Sequence, residues 1–344
     1  MARAICYGGL LILVLFALSG CATITGPSVS QEEILRAQEE LMVKSLGFRL
    51  KQLEKVNNIG YQLISHIPQD EIKVSEGPQP YLGMYVSKID KYFKQLYRLQ
   101  ADEGLVVIAV IEDSPAERAQ ILPGDFLISV DNERISSVRE FNQYFRKLNI
   151  GDLIKLQVQR GGVLKDIFLT VGSIPINVPI VMVDVQEVNA AASSNAIYVT
   201  YGLMNFVKSD DEIAAVLAHE LAHFVRGHVS KAQMSSLLSL LIGIPLGIIA
   251  DEAAPGTGDL VMRTADVFKA SYSRDLEREA DYFGVKFIYL AGFDPCVCVS
   301  FLERFAIEIP RSMIRNYLST HPSSPERMLR IKKAVQELAC VSCP

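Results

Sequence analysis

Clustered basic charge is missing from this chain. Its 34 Lys and Arg and 39 Asp and Glu are mixed along 344 residues, for a formal net charge of −5. A nucleic-acid-binding face needs a concentrated basic surface, so that class of partner is set aside. Long apolar runs are missing too: "AICYGGLLILVLFA" near the start and "LLSLLIGIPLGIIA" at 237–250 both fall short of the ~20 residues that a membrane-crossing helix requires. No internal repeat or low-complexity tract appears, and no motif suggests lipid transfer or a purely structural role. Histidine and cysteine are scarce, at five and six. What is present is ordinary globular material, with 49% apolar and 21% charged residues, in a chain long enough for two domains plus appendages.

The first thirty residues differ from the rest. Arg3 gives a short positive start, and the apolar run after it has the length of a signal-peptide core. It runs into "LSGC", Leu18 to Cys21, which resembles the lipobox of bacterial lipoproteins; the resemblance implies cleavage after residue 20 and lipidation of Cys21. Ala22 follows, where an aspartate would resemble an inner-membrane retention signal. The expected location is therefore the bacterial outer membrane, facing the periplasm and attached through a lipid anchor. An uncleaved anchor with a chance cysteine is the alternative.

Four further cysteines remain: Cys296, Cys298, Cys340 and Cys343. An oxidising compartment makes disulfides the default. A bond between Cys296 and Cys298 would be strained, so the "CVC" stretch is expected to bond to the C-terminal "CVSC". A zinc site made of the four thiolates is the competing reading.

Residues 30–66 carry helical periodicity, with Ile34, Leu41, Leu46, Leu50, Leu53, Val56, Ile59 and Leu63 near one stripe. "EGPQP", Glu76 to Pro80, breaks the chain. The segment after it has short strands and frequent turns. "SPAERA" opens a short helix, "LPGD" at Leu122–Asp125 makes a turn, and "FLISVDNERI" follows. This span resembles a PDZ domain of the bacterial protease type, expected over 78–175. The resemblance places Tyr81, Leu82, Gly83 and Met84 at a carboxylate-binding loop, where backbone N–H groups capture a peptide C-terminus and the peptide adds to a sheet edge. A spacer or internal docking role is the other use of such a domain. From Ile176 onward, "VPIVMVDV" and "NAIYVTYGLM" are strand-like and the rest is mainly helical.

"VLAHELAHFVRGHV", 216–229, holds three of the five histidines. Ser209 to Glu212 forms a capping box, so a helix should begin there. On it His219 and His223 fall one turn apart on one face, where both imidazoles can share a cation, with Glu220 beside them as general base. His228 comes five residues after His223, one short of the metzincin spacing, and is expected to be a helix-end or core histidine bonded to backbone. The third ligand is expected 54 residues beyond His223 in "YSRDLEREADYFG". Glu277 there supplies a carboxylate, and Asp281, four residues on, orients a histidine from behind. Two histidines and a glutamate leave a tetrahedral zinc ion one open position, the arrangement of catalytic zinc. One Zn2+ per chain is expected.

"HELAH", "SRDLEREAD", "AGFDP" and "STHPSSPERM" occur in the order found in zinc metallopeptidase family forty-eight, the HtpX, CAAX prenyl protease and BepA–LoiP type, which this chain resembles over 176–335. The resemblance implies zinc ligands His219, His223 and Glu277, the base Glu220 and the orienting acid Asp281. It adds His321, which would stabilise an oxyanion or block the zinc at rest, and Arg327 six residues later. The helix before the PDZ segment also looks like the family's opening helix, which implies a PDZ domain inserted into the peptidase. The expected fold is α+β: a mainly helical gluzincin-type domain with a small sheet (176–344, with 21–75), plus a mixed β/α PDZ domain. Relatives carry glycines where this chain has Ser194 and Asn195, so the loop at the substrate edge should be stiffer or differently shaped. The apolar run 237–250, interrupted by Pro245, is expected as a buried helix or a plug over the cleft.

The expected activity is zinc-dependent cleavage of misfolded or unassembled envelope proteins, captured by their C-termini at the PDZ domain. The rival is a chaperone or assembly factor with a latent zinc site.

Overall fold

The computed structural model describes residues 27–75, 77–229, 272–308, 325–339 and 343. The signal segment 1–20, Cys21, the apolar run 237–250, His321 and Cys340 lie outside the described residues. Among the described residues, no helix is long and apolar enough to cross a membrane.

Two compact units are present, Met1–Leu41 and Met42–Pro344. In the first, residues 27–41 are exposed, including Ile34 and Leu41 of the predicted stripe. The helix Gln31–Ser65 begins in the first unit, and every other element among the described residues lies in the second. Helix α1 (Gln31–Ser65) buries Leu46, Leu50, Leu53, Val56, Ile59 and Leu63 at the predicted spacing. The Asn57 amide donates to Ile180 O at 3.2 Å, and Gln62 donates to Ala291 O at 2.8 Å, which ties α1 to elements far along the chain.

Strand β1 (Gln79–Tyr81) pairs antiparallel with β8 (Gly172–Ile174), so the chain enters and leaves the intervening segment side by side. Between them, β2 (Met84–Lys88), β3 (Leu105–Val110), β4 (Phe126–Val130), β6 (Leu153–Arg160) and β7 (Val163–Thr170) form an antiparallel sheet in the order β2-β3-β4-β6-β7, with β5 (Glu133–Arg134) on β4. Short helices α2 (Lys91–Tyr97), α3 (Pro115–Arg118) and α4 (Val138–Phe145) accompany it. In α3, Ser114 caps the helix by accepting from Glu117 N and Pro115 occupies the first turn, where its missing N–H costs nothing. Every residue of β3 is buried because both faces are covered. Leu105 and Val107 join the core of this sheet, whereas Val106 and Ile108 join the core that α1 shares with the C-terminal helices.

The C-terminal part has a three-stranded sheet, β10 (Ala190–Ala192), β11 (Ile197–Thr200) and β9 (Ile180–Val183), in the order β10-β11-β9, with β10 at the edge. Helix α5 (Tyr201–Phe206) leads to α6 (Asp210–Val225). Ser209 Oγ caps α6 at Glu212 N, and Glu212 reaches back one residue further than a capping box requires, to Lys208 N at 2.7 Å. Every residue of α6 from Glu212 to Val225 except Phe224 is buried, so this is a core helix despite its polar centre. Against it lies α7 (Arg274–Leu290), which buries Glu277, Ala280, Asp281, Gly284, Val285 and Ile288 on one stripe. Helices α8 (Val297–Glu308) and α9 (Pro325–Ala339) complete the described core.

Cys296 and Cys343 are joined, with Cα atoms 5.3 Å apart, so a four-thiolate zinc site is not what the structure holds. Cys298 is buried and unbridged, and burial pushes its thiol up to about 12.

Candidate metal centre

The helical turn between His219 and His223 brings their Nε2 atoms to 3.2 Å. From α7, Glu277 places Oε1 3.3 Å from His223 Nε2 and Oε2 3.6 Å from His219 Nε2. One ligand atom from each of these three buried residues lies within 4.8 Å of the others. The side chains approach so closely because Gly284 lets α7 lie against α6; a Cβ there would sit 3.3 Å from the His219 N and Cα.

Glu220, buried between the two histidines in sequence, accepts from Ala192 N at 2.8 Å, which fixes its carboxylate at the end of the edge strand β10. Behind His219, Asp281 Oδ1 lies 3.1 Å from Nδ1. Arg327 from α9 holds that carboxylate with Nε and Nη2 at 2.8–3.0 Å, and its Nη2 lies 3.3 Å from the His219 ring nitrogens. Burial works against the charge on Asp281, but the Arg327 guanidinium and His219 hold its carboxyl below the usual range. Burial and Arg327 pull His219 down; Asp281 and Glu277 outweigh them and push it up to about 9.

Three lone-pair donors converging in a buried space repel one another unless a proton or a cation lies between them. Two imidazole nitrogens and a carboxylate are the donor set of a catalytic zinc ion. The residues therefore fit a metal.

His228 does not join this triad. Helix α6 ends on Gly227, which takes the left-handed conformation with φ +73°. Gly227 N donates to Phe224 O at 3.1 Å and His228 N to His223 O at 3.0 Å, the two bonds of a Schellman ending. That ending folds residue 228 back over residue 223. The His228 ring therefore faces His223, Nδ1 to Nδ1 at 3.1 Å, and not the backbone as the sequence suggested. Its Nε2 lies 3.3 Å from Glu279 Oε2, near enough for attraction but not in line for a well-formed hydrogen bond. Burial lowers the His228 pKa.

Tyr272 was also missed by sequence reasoning. Its ring stacks on His223 with centroids 3.7 Å apart, and its hydroxyl donates to Ala192 O at 3.4 Å. A lone aromatic ahead of a helix has no spacing that marks it. The Gly227 ending did carry a signal for His228, because such an ending brings the residue after the glycine against the one five positions earlier. Beside the site, the Ser193 hydroxyl accepts from Asn195 N and Ala196 N and donates to Ala196 O, so the Ser194–Asn195 turn is tied down.

The expected carboxylate-binding loop joins β1 to β2. Leu82 O and Gly83 O accept from Ala116 N and Ile111 N, each at 2.8 Å. Leu82 and Met84 face the core of the larger sheet, and Tyr81 stacks on Tyr61 of α1 at 5.0 Å. Strand β2 is an end strand of that sheet, with β3 its one ladder partner among the described residues.

Two histidines a turn apart with a glutamate between them, met by a carboxylate from a second helix, form a group that could hold a metal ion. Residues 169–335 match the profile of Peptidase family M48, and residues 80–171 match that of the PDZ domain. The two matches are adjacent, and each covers less than half of the chain. Similar curated proteins include the mitochondrial metalloendopeptidase OMA1 of Arabidopsis thaliana, 32% identical over 157 residues, which are 45% of this chain and 31% of that protein. The metalloprotease YcaL of Escherichia coli is 30% identical over 167 residues, 47% of this chain and 63% of that one. A putative beta-barrel assembly-enhancing protease of Vibrio cholerae is 30% identical over 135 residues, 37% of this chain and 28% of that one. The chain thus spans less than two thirds of each of these relatives.

Proposed function

We propose that this protein is a zinc-dependent endopeptidase of the bacterial envelope, which cleaves misfolded or unassembled envelope proteins brought to it by its PDZ domain. The observation that carries the reading is the convergence of His219, His223 and Glu277 with Glu220 fixed beside them. His219, His223 and Glu277 would hold the ion. When bound, zinc supplies Lewis acidity, which polarises a scissile carbonyl and acidifies water. Glu220 takes the proton of the attacking water and passes it to the leaving nitrogen, the role of a positioned general base and acid. The bond from Ala192 N keeps its carboxylate aimed while it does so. Asp281, held by Arg327, orients the His219 ring.

The domain assignment belongs to this reading: a lipoprotein signal at 1–20, a spacer and helix at 21–75, the PDZ domain at 78–175 and the peptidase at 176–344. It is supported by the core that α1 shares with α6 to α9, and by the pairing of β1 with β8 around the inserted segment. Lipidation at Cys21 and outer-membrane attachment rest on the "LSGC" sequence. Peptide capture by residues 81–84 rests on the PDZ match and the end position of β2.

The test is zinc content and casein digestion by the purified chain and by Glu220→Gln. The variant is expected to keep zinc and to lose activity by about 10²–10⁴-fold, the range for removal of a general base. Full proteolysis by that variant would sink the assignment. Zinc binding with no digestion by the wild type would favour the latent-site assembly factor. Removing residues 78–175 should slow cleavage of unfolded substrates; an unchanged rate would show that the PDZ domain does not deliver them.

A further inference from the structure

With His223 Nε2 as a metal ligand, the contact between His223 and His228 has only one consistent arrangement of protons. His223 turns Nε2 toward His219 and Glu277 and Nδ1 toward His228. A neutral imidazole that offers the Nε2 lone pair to a cation carries its proton on Nδ1. His223 Nδ1 is then the donor across the 3.1 Å gap, and His228 Nδ1 must be the acceptor. His228 consequently carries its own proton on Nε2, the atom that faces Glu279. Glu279 is held in turn by Arg226 Nε at 2.8 Å and by Lys73 at 3.3 Å.

We infer that His228 is a positioning residue for the metal centre: by accepting from His223 Nδ1–H, with Glu279 behind it, it fixes the ring orientation and tautomer that let His223 Nε2 act as a ligand. The inference rests on the proposed ligand role of His223. His219 and His223 are then supported by different means, the first by the carboxylate of Asp281 and the second by a second histidine. Outer partners of this kind typically contribute about 10–100-fold to metal affinity.

The test is zinc affinity of the full chain, measured by competition with a chromophoric chelator. The variants are His228→Asn, whose amide oxygen can accept where Nδ1 does, and His228→Phe, which fills the space without accepting. A loss of about 10–100-fold is expected for His228→Phe and a much smaller loss for His228→Asn. If His228 only filled space, the order would reverse, and that order or an unchanged His228→Phe overturns the inference. Should His228→Phe fail to fold, nitrogen-15 shifts of the zinc-loaded wild type decide. A His228 ring protonated on Nε2 supports the inference, and one protonated on Nδ1 refutes it. Wild-type protein that binds no zinc would bring down the proposed function and this inference with it. Zinc-binding wild type with indifferent variants would bring down this inference alone.

Discussion

Arg327 and Arg330 lie one turn apart on α9, and each meets a carboxylate: Asp281 at 2.8 Å and Glu326 at 2.9 Å. Distance does not separate the two pairs, but burial does. The side chains of the first pair are 7% and 6% exposed, those of the second 52% and 54%. Replacing Arg327 by methionine leaves the Asp281 carboxylate charged, buried and without its bidentate partner. Breaking a buried pair from one side costs about 3–5 kcal/mol, a large part of the ~5–15 kcal/mol that holds a domain folded. Replacing Arg330 leaves the half-exposed Glu326 in contact with water and with Arg278 at 2.9 Å, and should leave stability unchanged within error. Urea unfolding with a chelator present, so that no metal contributes, compares the midpoints of Arg327→Met, Arg330→Met and the wild type. Adding Asp281→Asn to Arg327→Met should restore part of the loss, because a neutral amide no longer needs a countercharge. Equal midpoints for the two arginine variants, or a double variant weaker than Arg327→Met alone, would refute the argument that burial sets the magnitude.

Gly284→Val should cost about 1–3 kcal/mol through overpacking and should also weaken zinc binding, because the added atoms press on the backbone of His219 and move α7 with its Glu277. A variant with unchanged thermal midpoint and zinc affinity would contradict the close approach of α6 and α7. Burial pushes the phenols of Tyr198 and Tyr201 up to about 12, while an unfolded chain releases such protons near pH ~10. The native state therefore holds these protons longer, so their contribution to stability is complete below pH ~10 and is lost as the pH rises toward ~12. Thermal midpoints should fall across that window, and tyrosine absorbance can follow it without interference because the chain has no tryptophan. A midpoint that stays flat through the window would contradict the burial of these rings.

The ligand positions were legible because a helix repeats every 3.6 residues. His219 and His223, and Glu277 and Asp281, each read as one face before any coordinates, and the structure brings the two faces together. Arg327 was legible only through resemblance, since nothing local to α9 says that a residue 46 positions away will bury a carboxylate against it. The spacing of His228 correctly excludes it as a ligand and leaves it at the helix end, but its contact with the His223 ring follows from the left-handed Gly227, which ligand spacing does not capture. The stripe read on α1 runs from Ile34 to Leu63, yet Ile34 and Leu41 are exposed, because periodicity states which face is apolar and not how far a partner extends. Burial of both faces of β3 depends on α1, and the apolar run of β3 alone does not name its partner.

The rung between β1 and β8 sets Gln79 opposite Ile174 and Tyr81 opposite Gly172. For the remainder of the chain, everything between those residues is a loop whose ends are already closed. Closing a loop costs entropy that grows only with the logarithm of its length, and a folded insert whose ends meet pays even less of it. The PDZ segment is therefore a cassette on its outer side, free to lengthen or change there, while Ile89, Phe93, Val106 and Ile108 on its inner side belong to the core shared with the helices that gather the ligand set.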